Sequence, residues 1–226
     1  MTLCIIGDSR HLDQPSNQHH PLQPEPPTAY QSPLMSLHQN QTVLFGIFAK
    51  VIKDFDHVVN VSNKMVQFSK LLNVPVLISE QNPQSLGKTV SEIDFSNSHL
   101  LTTDPISKTR FSMVNDDVLY ALKTNKIRSV VLVGVETHIC ILQTSLELIA
   151  KGFDVHVIID GVSSSHATHK DTALDQIRQS GGRISTSETV LFQLLADASD
   201  ERFKQFLKLN KEFSDRSTSA LEKQTK

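Results

Sequence analysis

Cysteine is almost missing from this chain: among 226 residues only Cys4 and Cys140 carry a thiol. Two thiols so far apart make no disulfide framework, so a reducing compartment is expected, the cytoplasm by default. An excess of charge of one sign is lacking too. Lys and Arg number 22 against 24 Asp and Glu, a net charge of −2, which gives no electrostatic footprint for nucleic acid or for a charged membrane surface. No window approaches the roughly 18 apolar residues of a membrane span, and the start, MTLCIIGDSRHLDQ, has an apolar run without the basic residues of a signal peptide. A glycine-rich G-x-G-x-x-G turn is absent, which sets aside a dinucleotide-binding module. Small molecules and other protein chains are left as the expected partners.

What is present is unevenly distributed. The hydrophobic fraction is 38%, and the polar residues gather at both ends. From Ser9 to Gln41 the chain is rich in Pro, Gln, His and Ser, a composition that buries too little apolar surface to offset chain entropy. We therefore expect a disordered leader over residues 1–41, a folded domain over 42–213 and a flexible tail over 214–226. The pair His19–His20 sits in the leader and is read as solvated rather than as a metal site.

After Thr42 strand-like and helix-like segments alternate. TVLFGIF is a short apolar run. Val58, Val61, Met65, Phe68 and Leu72 follow at the spacing of a half-buried helix. VPVLIS reads as a strand, and Pro83 and Gly87 mark a loop behind it. SVVLVGV, Ser129 to Val135, is apolar without alternation, as in a strand covered on both faces. HICILQTSLELIAKG then has helical spacing and stops at Gly152. DVHVIID, HKDTALDQIRQSGG, RIST and SETVLFQLLAD continue as strand, helix, strand and helix, and ERFKQFLKLNKEF adds an amphipathic helix. The alternation predicts an α/β fold: a three-layer α/β/α sandwich around a doubly wound, mostly parallel, Rossmann-like sheet.

Ligands of such sheets bind beyond the carboxyl ends of the strands, and Cys140 falls there, in the first turn after SVVLVGV. Unpaired amides at a helix start stabilise a thiolate and a developing oxyanion, so the position suits a nucleophile. A lone cysteine is also a common space-filling residue of a core.

Three stretches in this order, SEQNPQSLGKTVSEID (Ser79 to Asp94), SKTRFSM (Ser107 to Met113) and SVVLVGVETHICILQTSLELIAKGFDVHVIIDGVSS, resemble the isochorismatase-like cysteine hydrolases, in the branch of isochorismatase domain-containing proteins. The similarity covers roughly Asp56 to Phe213. The resemblance implies catalysis by Cys140 as nucleophile and Lys108 as the cation beside it. It further implies a non-proline cis peptide at Val135–Glu136, with the amides of Glu136 and Cys140 as oxyanion hole. Gln81, Phe111 and Glu136 are expected to line the pocket. His138 is a candidate substrate contact or an exposed helix-start residue, and the serines of DGVSSSHATH are ordinary turn material.

One part of the family pattern is missing. Its third catalytic residue is an aspartate in an Asp-x-Gln segment just after the first strand, where this chain has Gly46, Ile47 and Phe48. Asp54 or Asp56 is one candidate substitute, although an acid there is ordinarily a helix cap. Asp8, after LCIIG, is another. The preferred explanation is a variant or mis-assembled chain without its base, and hence with weak turnover. The loop after the second expected strand has no histidine, so neither a catalytic metal nor any other cofactor is expected. The resulting expectation is a hydrolase of an unidentified small molecule, assembled as a homo-oligomer; the alternative is a non-catalytic binding or assembly subunit with the same fold.

Overall fold

Both faces of the run Ser129–Val135 are covered, and this explains its lack of polar alternation. In the computed structural model, which describes the backbone of residues 2–7 and 51–224 and the side-chain surroundings of residues 51–214, this run is an inner strand of a six-stranded sheet. In chain order the elements are β1 (Thr2–Gly7), α1 (Phe55–Leu72), β2 (Val76–Gln81), α2 (Pro83–Leu86), β3 (Ile106–Lys108), α3 (Asp116–Thr124) and β4 (Ser129–Val135). A π-helical turn (Thr137–Ile141) leads into α4 (Leu142–Ala150), followed by β5 (Asp154–Ser163), α5 (Ala167–Gln179), β6 (Arg183–Ser185), α6 (Ser187–Leu195) and α7 (Phe203–Gln224).

Alternate residues of β4 serve two cores. Val131 and Val133 join Val61, Met65 and Phe68 of α1, Val190 and Leu191 of α6, and Phe206 and Phe213 of α7. Val130 and Leu132 face the other way, against Val118 and Leu122 of α3, Leu148 of α4, and Leu174 and Ile177 of α5. The expected three-layer sandwich follows from this two-sided burial, since each helix must hide its own apolar stripe against the sheet.

The strands are ordered β3-β2-β1-β4-β5-β6. The pairs β2–β3, β4–β5 and β5–β6 are parallel, while β1 runs antiparallel to both neighbours, with Leu3 opposite Ile78 of β2 and Val133 of β4. Thr2–Gly7 thus lies in the middle of the sheet, although the sequence places it in the leader. The reason is backbone pairing: β2 and β4 each have an inner edge whose N–H and C=O groups need partners, and a short apolar segment satisfies both. The rest of the expected leader, including Asp8 and His19–His20, lies outside the described residues, as does the run TVLFGIF at the start of the expected domain. At the other end, α7 continues past Phe213 to Gln224.

Local signals account for several boundaries. Asn115 caps α3 by accepting from Val118 N at 2.9 Å, and Thr186 caps α6 by accepting from Thr189 N at 3.2 Å. Asn73 closes α1 in the left-handed conformation, its N–H reaching the carbonyls of Ser69 and Lys70. No described helix is long and apolar enough to cross a membrane.

Candidate active site

Since β1 is antiparallel to both β2 and β4, the strands β2, β3 and β4 all point the same way. Their carboxyl ends therefore converge, and each delivers one polar side chain: Gln81 ends β2, Lys108 ends β3, and Cys140 follows β4 in the π-helical turn. The link from β4 to that turn is a cis peptide at Val135–Glu136. Cys140 is 8% exposed and Lys108 likewise 8%, so both side chains are withdrawn from bulk water.

The Lys108 ammonium lies 3.7 Å from Cys140 Sγ. It also donates to Gln81 Oε1 at 2.6 Å, Arg110 O at 3.1 Å and Phe111 O at 2.8 Å. Gln81 is itself held, its Nε2 donating to Thr109 O at 2.6 Å. Burial pushes the Lys108 pKa below its ordinary value, and the charge of Cys140 acts in the opposite direction. The oxygen acceptors around Nζ stabilise the charged form as well.

A cleft of about 170 Å³ opens in front of this pair. Its walls are mostly apolar, with Phe55, Val58 and Val59 of α1 on one side and Val90 and Phe111 among the others. Phe111 is 50% exposed, which puts a ring at the mouth. Of the pocket residues expected from the sequence, the structure brings Gln81, Phe111 and Glu136 to this cleft together with Lys108 and Cys140.

Among the described residues the carboxylates lining the cleft are Glu80 and Glu136, and each is engaged. Glu80 Oε1 accepts from Thr89 N at 2.7 Å and from Thr89 Oγ1 at 2.8 Å. Glu136 Oε2 accepts from Ser165 N at 2.9 Å and lies 3.8 Å from His138 Nδ1. Asp54 and Asp56 do not line the cleft; Asp54 precedes α1 in a left-handed conformation without capping it, and Asp56 sits in the helix's first turn. His138 is not among the lining residues either. Its Nδ1 is 3.0 Å from Ser164 Oγ, and its ring stacks 4.5 Å from that of His169. Burial lowers the His138 pKa, with Glu136 opposing and His169 and His166 reinforcing the shift. Among the described residues no group of three or more His, Cys, Asp or Glu side chains is placed to hold a metal ion.

Sequence reasoning passed over Glu80 and Lys88, both of which line the cleft. The signal for Glu80 was its position one residue before the end of β2. For Lys88 there was none, because a lysine after a turn glycine is normally solvated.

The fold finds its counterpart in known proteins. The family model of the Isochorismatase domain matches residues 38–189. This chain belongs to the isochorismatase family. Isochorismatase domain-containing protein 1 of Danio rerio is 42% identical over 159 residues, which cover 70% of this chain and 55% of that protein. The secreted isochorismatase effector Isc1 of Phytophthora sojae is 45% identical over 157 residues, 69% of this chain and 75% of that protein. Among solved structures, the MAR1 ribonuclease of Caenorhabditis elegans superposes with a TM-score of 0.67 at 35% identity, covering 74% of this chain and 84% of that one. The isochorismatase similarity therefore takes in most of this chain, while this chain spans little more than half of the zebrafish relative.

Proposed function

We propose that this isochorismatase-family chain is a metal-independent cysteine hydrolase of a small molecule, with Cys140 as nucleophile. The observation that supports the reading is the Lys108 ammonium 3.7 Å from Cys140 Sγ in the lining of a mostly apolar cleft. A neighbouring cation stabilises the thiolate. The thiolate attacks an acyl-type carbon; the C–S bond forms as the carbonyl electron pair moves onto oxygen, where the amides of Glu136 and Cys140 receive it. The leaving group departs with a proton, and water then cleaves the thioester. Gln81 holds Lys108 in place, and Phe111 and Glu136 line the substrate's path.

Both proton transfers need a base. With Glu80 and Glu136 committed to Thr89 and Ser165, the cleft offers no free carboxylate among the described residues. Positioned proton transfer contributes roughly 10²–10⁴-fold, so without such a base both steps are slow and activity is low. Iodoacetamide tests this reading. Cys140 is expected to react at pH 7 faster than glutathione, with the modified peptide identified by mass spectrometry. A rate equal to that of the free thiol overturns it, and cleavage of RNA rather than small amides or esters overturns the small-molecule assignment.

A second reading, a non-catalytic assembly subunit, is favoured by one observation. Phe192 of α6 and Leu207 of α7 are 40% and 44% exposed, beside the Phe192–Phe206 ring contact at 4.9 Å. A second copy of this chain is the occupant this reading requires, and a monomer by sedimentation removes it.

A further inference from the structure

The loop DGVSSSHATH, which the sequence presents as turn material, is bound to the turn carrying Cys140 at two points. Ser165 N donates to Glu136 Oε2 at 2.9 Å, and the Ser164 hydroxyl lies 3.0 Å from His138 Nδ1. The loop is anchored in turn: Lys53 N donates to Ser164 O at 3.2 Å, and Ser163 Oγ donates to Lys53 O at 2.6 Å. Glu136 precedes the π-helical turn, and His138 and Cys140 lie within it. The two ties therefore grip the backbone between the amides of Glu136 and Cys140.

Ser164 is 1% exposed, and among the described residues His138 is the partner of its hydroxyl. A hydroxyl buried so deeply costs free energy when unbonded, which favours keeping the contact. The His138 ring also packs on His169 of α5, centroids 4.5 Å apart. Burial, reinforced by His169 and His166 and opposed by Glu136, holds its pKa below 6.5, so the ring is neutral at pH 7. Its 3.8 Å approach to Glu136 Oε2 is then no ion pair, and Nδ1 is left to Ser164. Within the turn the backbone bonds are long, Ile139 N and Ile141 N reaching Glu136 O at 3.2 and 3.3 Å. Side-chain ties carry the orientation.

We infer that His138 and Ser164 are a positioning pair whose bond directs the amides of Glu136 and Cys140 at the oxyanion formed when Cys140 attacks. Neither side chain lines the cleft; both act through the backbone of the turn. Preorganised donors stabilise a developing charge only where they already point at it. This inference rests on the reading of Cys140 as nucleophile and of the two amides as oxyanion hole, and it gives the loop after β5 a part in that site.

Two reagents separate positioning from thiol reactivity. Iodoacetamide joins the Cys140 sulfur to a methylene carbon as iodide leaves, and no charge develops on a carbonyl oxygen. With 4-nitrophenyl acetate the sulfur joins the acetyl carbon, the carbonyl electron pair moves onto oxygen, and its return expels nitrophenolate. The ratio of acylation to alkylation rate at Cys140 is expected to fall about tenfold in Ser164→Ala and in His138→Ala, and no further in the double variant. His138→Asn, whose side-chain amide reaches the place of Nδ1, is expected to keep the wild-type ratio. A ratio unchanged in the single variants, losses that add in the double variant, a His138→Asn as slow as His138→Ala, or both rates falling together overturns the pairing while leaving the hydrolase reading intact. Should wild-type Cys140 alkylate no faster than glutathione, the hydrolase reading fails and the pairing is overturned with it.

Discussion

At the scale of single residues, a buried polar group costs little where it makes its contacts and is penalised where it does not. Lys108 is buried and well supplied with acceptors. His156 of β5 is buried too, 3% exposed, yet its Nε2 has no hydrogen-bond partner among the described residues. Burial lowers its pKa from 6.5, with Arg183 reinforcing and Asp154 opposing the shift. The linkage has a definite sign. Between 6.5 and the lower folded value the unfolded chain binds a proton that the folded protein refuses, so folding stability falls as the pH drops through that window. His156→Gln removes that titration. Urea midpoints measured at about pH 7.5 and 5.5 should therefore differ less in the variant than in the wild type; equal differences would count against the assignment.

At the scale of elements, α7 is held by a few rings. Phe206 is fully buried, meets Phe68 of α1 edge-on at 4.7 Å and Phe192 of α6 at 4.9 Å, and so ties three helices together. Phe206→Ala deletes both ring contacts and opens a cavity, a change that costs about 3–5 kcal/mol. Chemical denaturation is expected to show this as a lower midpoint. A loss below about 1 kcal/mol would mean that α7 is peripheral to the fold. The apolar spacing of α1 and α7 was visible in the sequence because a helix that covers a sheet must repeat its apolar residues at three and four. The helix α3 was not singled out: its nine residues place only Val118, Ala121 and Leu122 in the core, too few repeats for a period to stand out.

At the scale of the whole molecule, the question is whether the α6–α7 surface meets solvent or a second copy. If the exposed Phe192 and Leu207 belong to an interface between copies, the protein sediments as an oligomer, and the double variant Phe192→Ser/Leu207→Ser sediments as a monomer at the same concentration. An oligomer untouched by the pair moves the interface elsewhere on the molecule. Because Phe192 and Leu207 remain partly exposed on the single chain, their replacement is expected to lower its stability far less than Phe206→Ala.

The sequence alone determined what depends on neighbours along the chain. The unalternated run of β4, the helical spacing of α1, the capping residues, and the motifs carrying Cys140, Lys108 and Gln81 are all local patterns of apolarity or residue type. Family resemblance added the order of those motifs and the peptide at Val135–Glu136. Tertiary structure decided what depends on partners distant in sequence. Thr2–Gly7 became the central strand because β2 and β4 left backbone groups to be paired, a demand that no composition rule registers. The clamp from Glu80 to Thr89, and with it the placement of Lys88, arises only when β2 ends beside the loop that follows it. The convergence of Gln81, Lys108 and Cys140 likewise needs β2, β3 and β4 to run in the same direction, because side chains separated by dozens of residues meet only when the sheet brings their strand ends together.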